Sequence, residues 1–210
     1  TILRSYARNI CTLAETKTIK RDVQAVHSMS DGSFYDYASA LEKLFIVSDV
    51  NPWCPAIRSK AAIRASKKRN LIDPSIAVAA LGLAPAYFDT DFKTLGFLFE
   101  SLCIRDLKVY SSLHGGEVSY YRDRYGLEAD CVLHFNDGRY ALIEFKLGQH
   151  EVDVGAQHLC KIEELVKKAN EKEKQCPIAL PTLKIVITGG QYGYRRDDGV
   201  LVVPIGCLRD

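Results

Sequence analysis

The apolar residues change period several times along the chain, and each change predicts an element. Ile10, Leu13 and Ala14 give helix-like patches between Ile2 and about Val26. The cap-rich stretch Ser28-Met29-Ser30-Asp31-Gly32-Ser33 leads into Phe34, Tyr37, Ala38, Leu41, Leu44 and Phe45, spaced three and four apart as an amphipathic helix requires. Strand character follows at Phe45-Ile46-Val47, breaks at Asn51-Pro52 and returns at Ala61-Ala62-Ile63. Lys67-Lys68-Arg69-Asn70 reads as a polar turn before Leu71. Helices followed by a small hairpin predict a winged-helix-like domain over residues 1–86, with a boundary in Leu83 to Asp89.

Beyond that boundary, Phe92 to Tyr110 reads as one helix, apolar on nearly every side and therefore buried. Strands are expected at Val118 to Tyr121, Ala129 to Phe135, Tyr140 to Leu147, Leu183 to Thr188 and Val200 to Pro204. A helix from about Val154 to Ala169 carries the stripe Leu159, Ile162, Leu165 and Val166. Helix, three strands, helix and two strands predict an α/β domain with a mixed sheet over residues 87–210.

With 47% hydrophobic residues, a chain of 210 can bury one or two cores. A net charge of +2 gives no global case for a nucleic-acid partner, so any such case rests on local clusters. One exists. Between Asp49 and Asp73 stand Arg58, Lys60, Arg64, Lys67, Lys68 and Arg69 with no acidic residue among them. These six are candidates for phosphate contact from a hairpin tip; a solvated edge hairpin, or a module for protein contacts, accounts for them equally. The seven scattered cysteines fit reduced thiols in a cytoplasmic protein better than a disulfide framework or a zinc site. No apolar run reaches the length of a membrane span. The chain starts at Thr1 with Met29 its only methionine, which reads as part of something longer.

The most informative stretch runs from Glu128 to Lys146. Two apolar strands flank Asn136-Asp137-Gly138. A three-residue loop closed by a left-handed glycine pairs Phe135 with Arg139, and counting back from there sets Asp130 opposite Glu144. Alternation then puts Asp130, Glu144 and Lys146 on one face. A two-residue loop would pair Asp130 with Phe145 and split the three. Two carboxylates on an otherwise apolar face repel each other and are costly to desolvate, and a divalent cation resolves both problems. Mg²⁺ or Mn²⁺ is the expected cofactor, with Lys146 placed to manage the attacking water. Glu100, amid Leu95 to Ile104 of the apolar helix, needs a buried partner: the metal, or an arginine such as Arg105 or Arg122. Gln157 and Lys161 lie off the apolar stripe of their helix and face either the site or solvent. His134 and His158 read more readily as surface histidines than as general bases. Arg195-Arg196 is a weaker candidate for DNA-backbone contact.

In these residues the chain resembles the PD-(D/E)XK nuclease superfamily: a helix glutamate (Glu100), a strand aspartate (Asp130), Glu144-Phe145-Lys146 as the (D/E)-x-K element, and Gln157 as the added polar residue on the next helix. More closely it resembles the C-terminal region of a group of predicted prokaryotic AAA-type ATPases. There a winged-helix-like part precedes Gly-x-Leu-Phe-Glu, Tyr-Tyr-Arg, Glu-x-Asp and Glu-x-Lys, here Gly96 to Glu100, Tyr120 to Arg122, Glu128 to Asp130 and Glu144 to Lys146. The superfamily's proline before the strand aspartate is absent.

The resemblance implies a restriction-endonuclease-like fold and a metal held by Asp130, Glu144, Glu100 and the Phe145 carbonyl. Asp130, Glu144, Lys146, Glu100 and Gln157 form the implied catalytic set, DNA is the partner, and an ATPase domain lies upstream. ATP belongs to that domain alone, since no G-x-x-x-x-G-K-[ST] loop occurs here. Two functions are therefore expected: a metal-dependent DNA phosphodiesterase, or an inactive nuclease-like module that binds DNA or a partner and regulates the ATPase. A dimerisation unit is the third reading, and a homo-oligomer stays open.

Overall fold

The structure, a computed structural model, describes residues 1–55, 66–172, 175 and 177–209. The chain divides into two compact units. The first comprises Thr1–Asn51 and Ser66–Arg105. The second comprises Pro52–Ala65, of which residues 52–55 are described, and Asp106–Asp210. The division falls inside a helix rather than at the expected linear boundary of 86/87, because the helix spanning Phe92–Ser112 contributes its first part to one unit and its last part to the other.

The first unit holds helices α1 (Ile2–Arg8), α2 (Thr16–Gln24), α3 (Asp31–Lys43) and α4 (Pro74–Leu81), and the first part of α5 (Phe92–Ser112). The expected cap works at α3, where the Ser30 hydroxyl accepts from the Ser33 amide. Helix α4 was not anticipated, although its signals are local. Asp73 caps the Ser75 amide, Pro74 takes the first turn, and Gly82 closes the helix at φ 72°. Ile2, Tyr6, Ile19, Val23, Phe34, Leu71 and Ala77 are among the buried residues of this unit.

The expected ribbon is shifted. Residues 46–50 run antiparallel to residues 68–72: the Ser48 amide donates to the Asn70 carbonyl, Val50 and Lys68 exchange both bonds, and Ile72 donates to Ile46. Lys68, Arg69 and Asn70 therefore form the return leg rather than a turn. The strand expected at Ala61-Ala62-Ile63 lies outside the described residues, as do Arg58, Lys60 and Arg64.

The strands are β1 (Asn51–Pro52), β2 (Gly116–Arg122), β3 (Glu128–Phe135), β4 (Tyr140–Lys146), β5 (Leu183–Thr188), β6 (Tyr194–Arg195) and β7 (Leu201–Pro204). They form the mixed sheet of the second unit in the order β1-β2-β3-β4-β5-β7-β6. β2, β3 and β4 are antiparallel neighbours; β5 runs parallel to β4 and β7 parallel to β5. The parallel β4–β5 step requires a crossover, and α6 (Val152–Lys172) supplies it. Val152, Ala156, Leu159 and Ile162 of α6 pack with Val132, Leu142, Val186 and Val202 of the sheet. The protein is thus mixed α+β, with a seven-stranded mixed sheet.

Candidate functional site

The loop at 136–138 sets the register of the site. Phe135 donates its amide to the Arg139 carbonyl at 2.9 Å, and Gly138 donates to Phe135 at 3.0 Å with φ 88°. This is the three-residue loop, and glycine is needed because a side chain is disfavoured at that φ. The ladder continues through His134↔Tyr140, Val132↔Leu142 and Cys131↔Ile143. The ladder goes no further than this pair; against β2 the register of β3 shifts between Val132 and Ala129, so Asp130 lies at an irregularity of the strand, close enough for its charge to act on Glu144.

Where the backbone ladder stops, a side chain takes over. The Phe145 amide donates to Asp130 Oδ2 at 3.0 Å. Glu144 is 2% exposed. Lys146, two residues on and on the same face, donates to Glu144 Oε2 at 2.8 Å. His158 of α6 places Nδ1 3.5 Å from the other oxygen, Oε1.

Gly155 explains how α6 comes so close. A Cβ at this position would stand 3.2 Å from Lys146 Cε and 3.3 Å from Glu144 Cβ. Helix and strand meet over the site because no side chain intervenes.

Burial, and then the neighbouring Asp130 charge, push the Glu144 carboxyl up to about 8 despite Lys146. Burial lowers Lys146, and the Glu144 and Asp130 carboxylates more than reverse this, leaving it above its ordinary value. A carboxyl raised this far tends to keep its proton at neutral pH.

Asp130, Glu144 and the Phe145 carbonyl are all oxygen donors, the chemistry that a hard divalent cation takes. Among the described residues, no three His, Cys, Asp or Glu side chains are already gathered as a metal-holding group.

The remaining expected residues are placed as follows. Glu100 belongs to the first unit, where Lys68 Nζ donates to its Oε1 at 2.8 Å. Lys68 of the same unit is thus one cation that meets Glu100. Arg105 pairs with Asp73 and Arg122 with Glu128. Lys68 and Arg69 are corrected as surface phosphate ligands, since both are buried. Arg69 donates to Asp49 at 2.7 Å, to the Ala14 carbonyl at 2.7 Å and to Thr16 at 2.8 Å. Lys67 alone of the described basic cluster is exposed.

Gln157 is exposed, and His158 beside it is the residue that meets Glu144. The helical spacing from Gly155 to His158, one turn on one face, is the signal that picks out this histidine. His134 lies away from the acids. It bonds Ser119 at 3.1 Å, and burial lowers its pKa. Arg196 is held by Asp153 and Asp198.

No helix among the described residues is long and apolar enough to cross a membrane. The described cysteines are free thiols. No curated protein and no solved structure matches the chain. Residues 1–87 match the model of a domain of unknown function (DUF8612). A second model covers residues 95–208, more than half of the chain and all of β2 to β7, so the chain belongs to the family described as Domain of unknown function (DUF4143).

Proposed function

We propose that the second unit is a divalent-metal-dependent phosphodiesterase acting on DNA, with a PD-(D/E)XK-like arrangement of α5, β2, β3, β4 and α6. The observation that carries this reading is Glu144: a buried acid, beside a second acid, held on one face with a lysine beneath a glycine-thinned helix. Such a group is unfavourable for stability alone, and perturbed acids of this kind cluster at functional sites.

Asp130, Glu144 and the Phe145 carbonyl would hold Mg²⁺ or Mn²⁺. When bound, the ion supplies a lowered pKa for a coordinated water and neutralises charge on a phosphate oxygen. Lys146 orients the attacking water from the edge of Glu144 and offsets the charge that develops on the phosphate. Asp130, fixed through the Phe145 amide, keeps the second carboxylate from swinging away. The winged-helix-like reading of the first unit is supported by α2, α3 and the antiparallel ribbon 46–50/68–72. DUF4143 domains occur in AAA-ATPase-associated proteins, and an upstream ATPase domain is part of the reading proposed here.

The test is incubation with plasmid and single-stranded DNA in Mg²⁺ or Mn²⁺. Cleavage lost in Glu144→Ala and in Lys146→Ala supports the reading; cleavage that survives either change overturns it.

One observation favours the second reading, an inactive nuclease-like module regulating the ATPase. Glu144 already has an ammonium 2.8 Å away, so its charge is partly compensated without a metal. Calorimetric Mn²⁺ binding separates the two readings. Heat of binding present in the wild type and absent in Asp130→Ala marks a working site.

A further inference from the structure

Glu144 presents its two oxygens to different groups. Oε2 accepts from Lys146, while Oε1 faces Nδ1 of His158 across 3.5 Å. That separation is longer than the roughly 2.7–3.2 Å of an N–H···O hydrogen bond. It is the separation of two ligands of one ion. Donors each about 2.1 Å from a metal lie about 3.0 Å apart at a right angle and about 3.4 Å apart at the tetrahedral angle.

The imidazole is carried to this place by the backbone. Gly155 brings α6 against Glu144 and Lys146, and His158 lies three residues on along the same helix face. Its side chain is 42% exposed, so nothing in the core requires a histidine here.

We infer that His158 is a nitrogen ligand of the cation held at Glu144, and that the site therefore selects a transition-metal ion such as Mn²⁺ over Mg²⁺. The inference rests on the metal-site reading above and sharpens it. An all-oxygen donor set suits magnesium and manganese alike, whereas an added imidazole favours first-row transition ions over Mg²⁺, least strongly for Mn²⁺, which therefore serves here as the spectroscopic probe. Histidine is neutral when it ligates, so it adds affinity for a softer ion without adding a third negative charge to a buried pair of acids.

The experiment uses the full chain loaded with substoichiometric Mn²⁺ and reads ¹⁴N coupling to the ion by electron spin-echo envelope modulation. Bound Mn²⁺ in the wild type is expected to show a directly coordinated nitrogen. His158→Ala is expected to lose that signal while keeping its fold by circular dichroism. The same change should weaken Mn²⁺ at least about tenfold, the floor set by substitutions that merely adjoin a ligand, and let Mg²⁺ displace it more readily. Asp130→Ala is the control for the site itself.

If Asp130→Ala abolishes binding and wild-type Mn²⁺ shows oxygen ligands alone, the histidine proposal is overturned and the metal site stands. Nitrogen coupling that persists in His158→Ala overturns it in the same way. If Asp130→Ala binds Mn²⁺ as the wild type does, the metal site fails and the histidine proposal falls with it.

Discussion

Each unit of this protein buries charge, and the two do so to opposite effect. In the first, Arg69 directs its donors to Asp49, Thr16 and the Ala14 carbonyl, while the Asn70 amide takes the second oxygen of Asp49. Lys68, 2% exposed, reaches Glu100. Planar guanidinium and carboxylate satisfy each other, and the network ties the return leg 68–70 to α1, α2 and the segment 46–50. In the second unit, Glu144 is as deeply buried but keeps one oxygen at 3.5 Å from its nearest nitrogen partner and stands beside another acid. A satisfied cluster holds a fold together. A buried acid beside a second acid, with one ammonium shared between them, is the arrangement on which the proposed metal site rests.

That contrast can be broken at several points. The largest effect is expected at Arg69→Ala, which leaves Asp49 buried without its guanidinium and should cost about 3–5 kcal/mol of stability in denaturant unfolding. A cost under about 1 kcal/mol would show that the network is not structural.

A pH series addresses the other cluster. A carboxyl raised in the folded state favours folding only while it is protonated. The contribution of Glu144 to stability without metal should therefore be most favourable below the ordinary carboxylate range and fall as pH rises from about 4.5 to about 8, against the carboxylates held low elsewhere, whose contributions are lost on the acid side. Glu144→Gln should flatten that fall, and saturating Mn²⁺ should oppose it most at the alkaline end. An unchanged slope in Glu144→Gln would mean that Glu144 is not the group responsible.

Gly155→Ala comes next. The added methyl group must push Lys146 or Glu144 aside by a few tenths of an ångström, so the gain of about 1 kcal/mol that alanine brings to a helix interior should be offset and Mn²⁺ affinity lowered. Thermal melts and calorimetry together measure both, and a variant indistinguishable from the wild type in each would show that the close approach is dispensable.

The smallest effect belongs to Lys67→Ala. This side chain is exposed, one residue before a buried lysine, and its removal should move stability by no more than about 0.5 kcal/mol. Lys68→Ala, by contrast, removes a buried ammonium 2.8 Å from Glu100 and should unfold the chain at lower denaturant. Equal midpoints for the two variants would erase the distinction between the exposed and the buried residue.

How much of this was legible beforehand follows the range of the interactions. The hairpin was readable because Asn136-Asp137-Gly138 fixes its own geometry within a few residues, and strand alternation carries that register as far as Cys131 and Ile143. Helix α4 was equally local in its signals, Asp73-Pro74 before it and Gly82 after, yet its apolar run Ile76-Ala77-Val78-Ala79-Ala80-Leu81 has no polar face to show a helical period. The basic stretch was misread because a run of cations looks the same whether it faces solvent or a buried acid. Only Asp49 and Glu100, brought in from 20 and 32 residues away, decide which.

By itself the sequence determined which residues share a face. Alternation and turn chemistry act over a few bonds and leave little else for Glu144 and Lys146 to do. Tertiary structure decided which charges are neutralised and by whom. Lys68 meets Glu100, and His158 rather than Gln157 meets Glu144. The reason is that Coulomb interactions and desolvation depend on distance through space, and the chain sets those distances only once α6 has settled on the sheet and the return leg has closed against the helices.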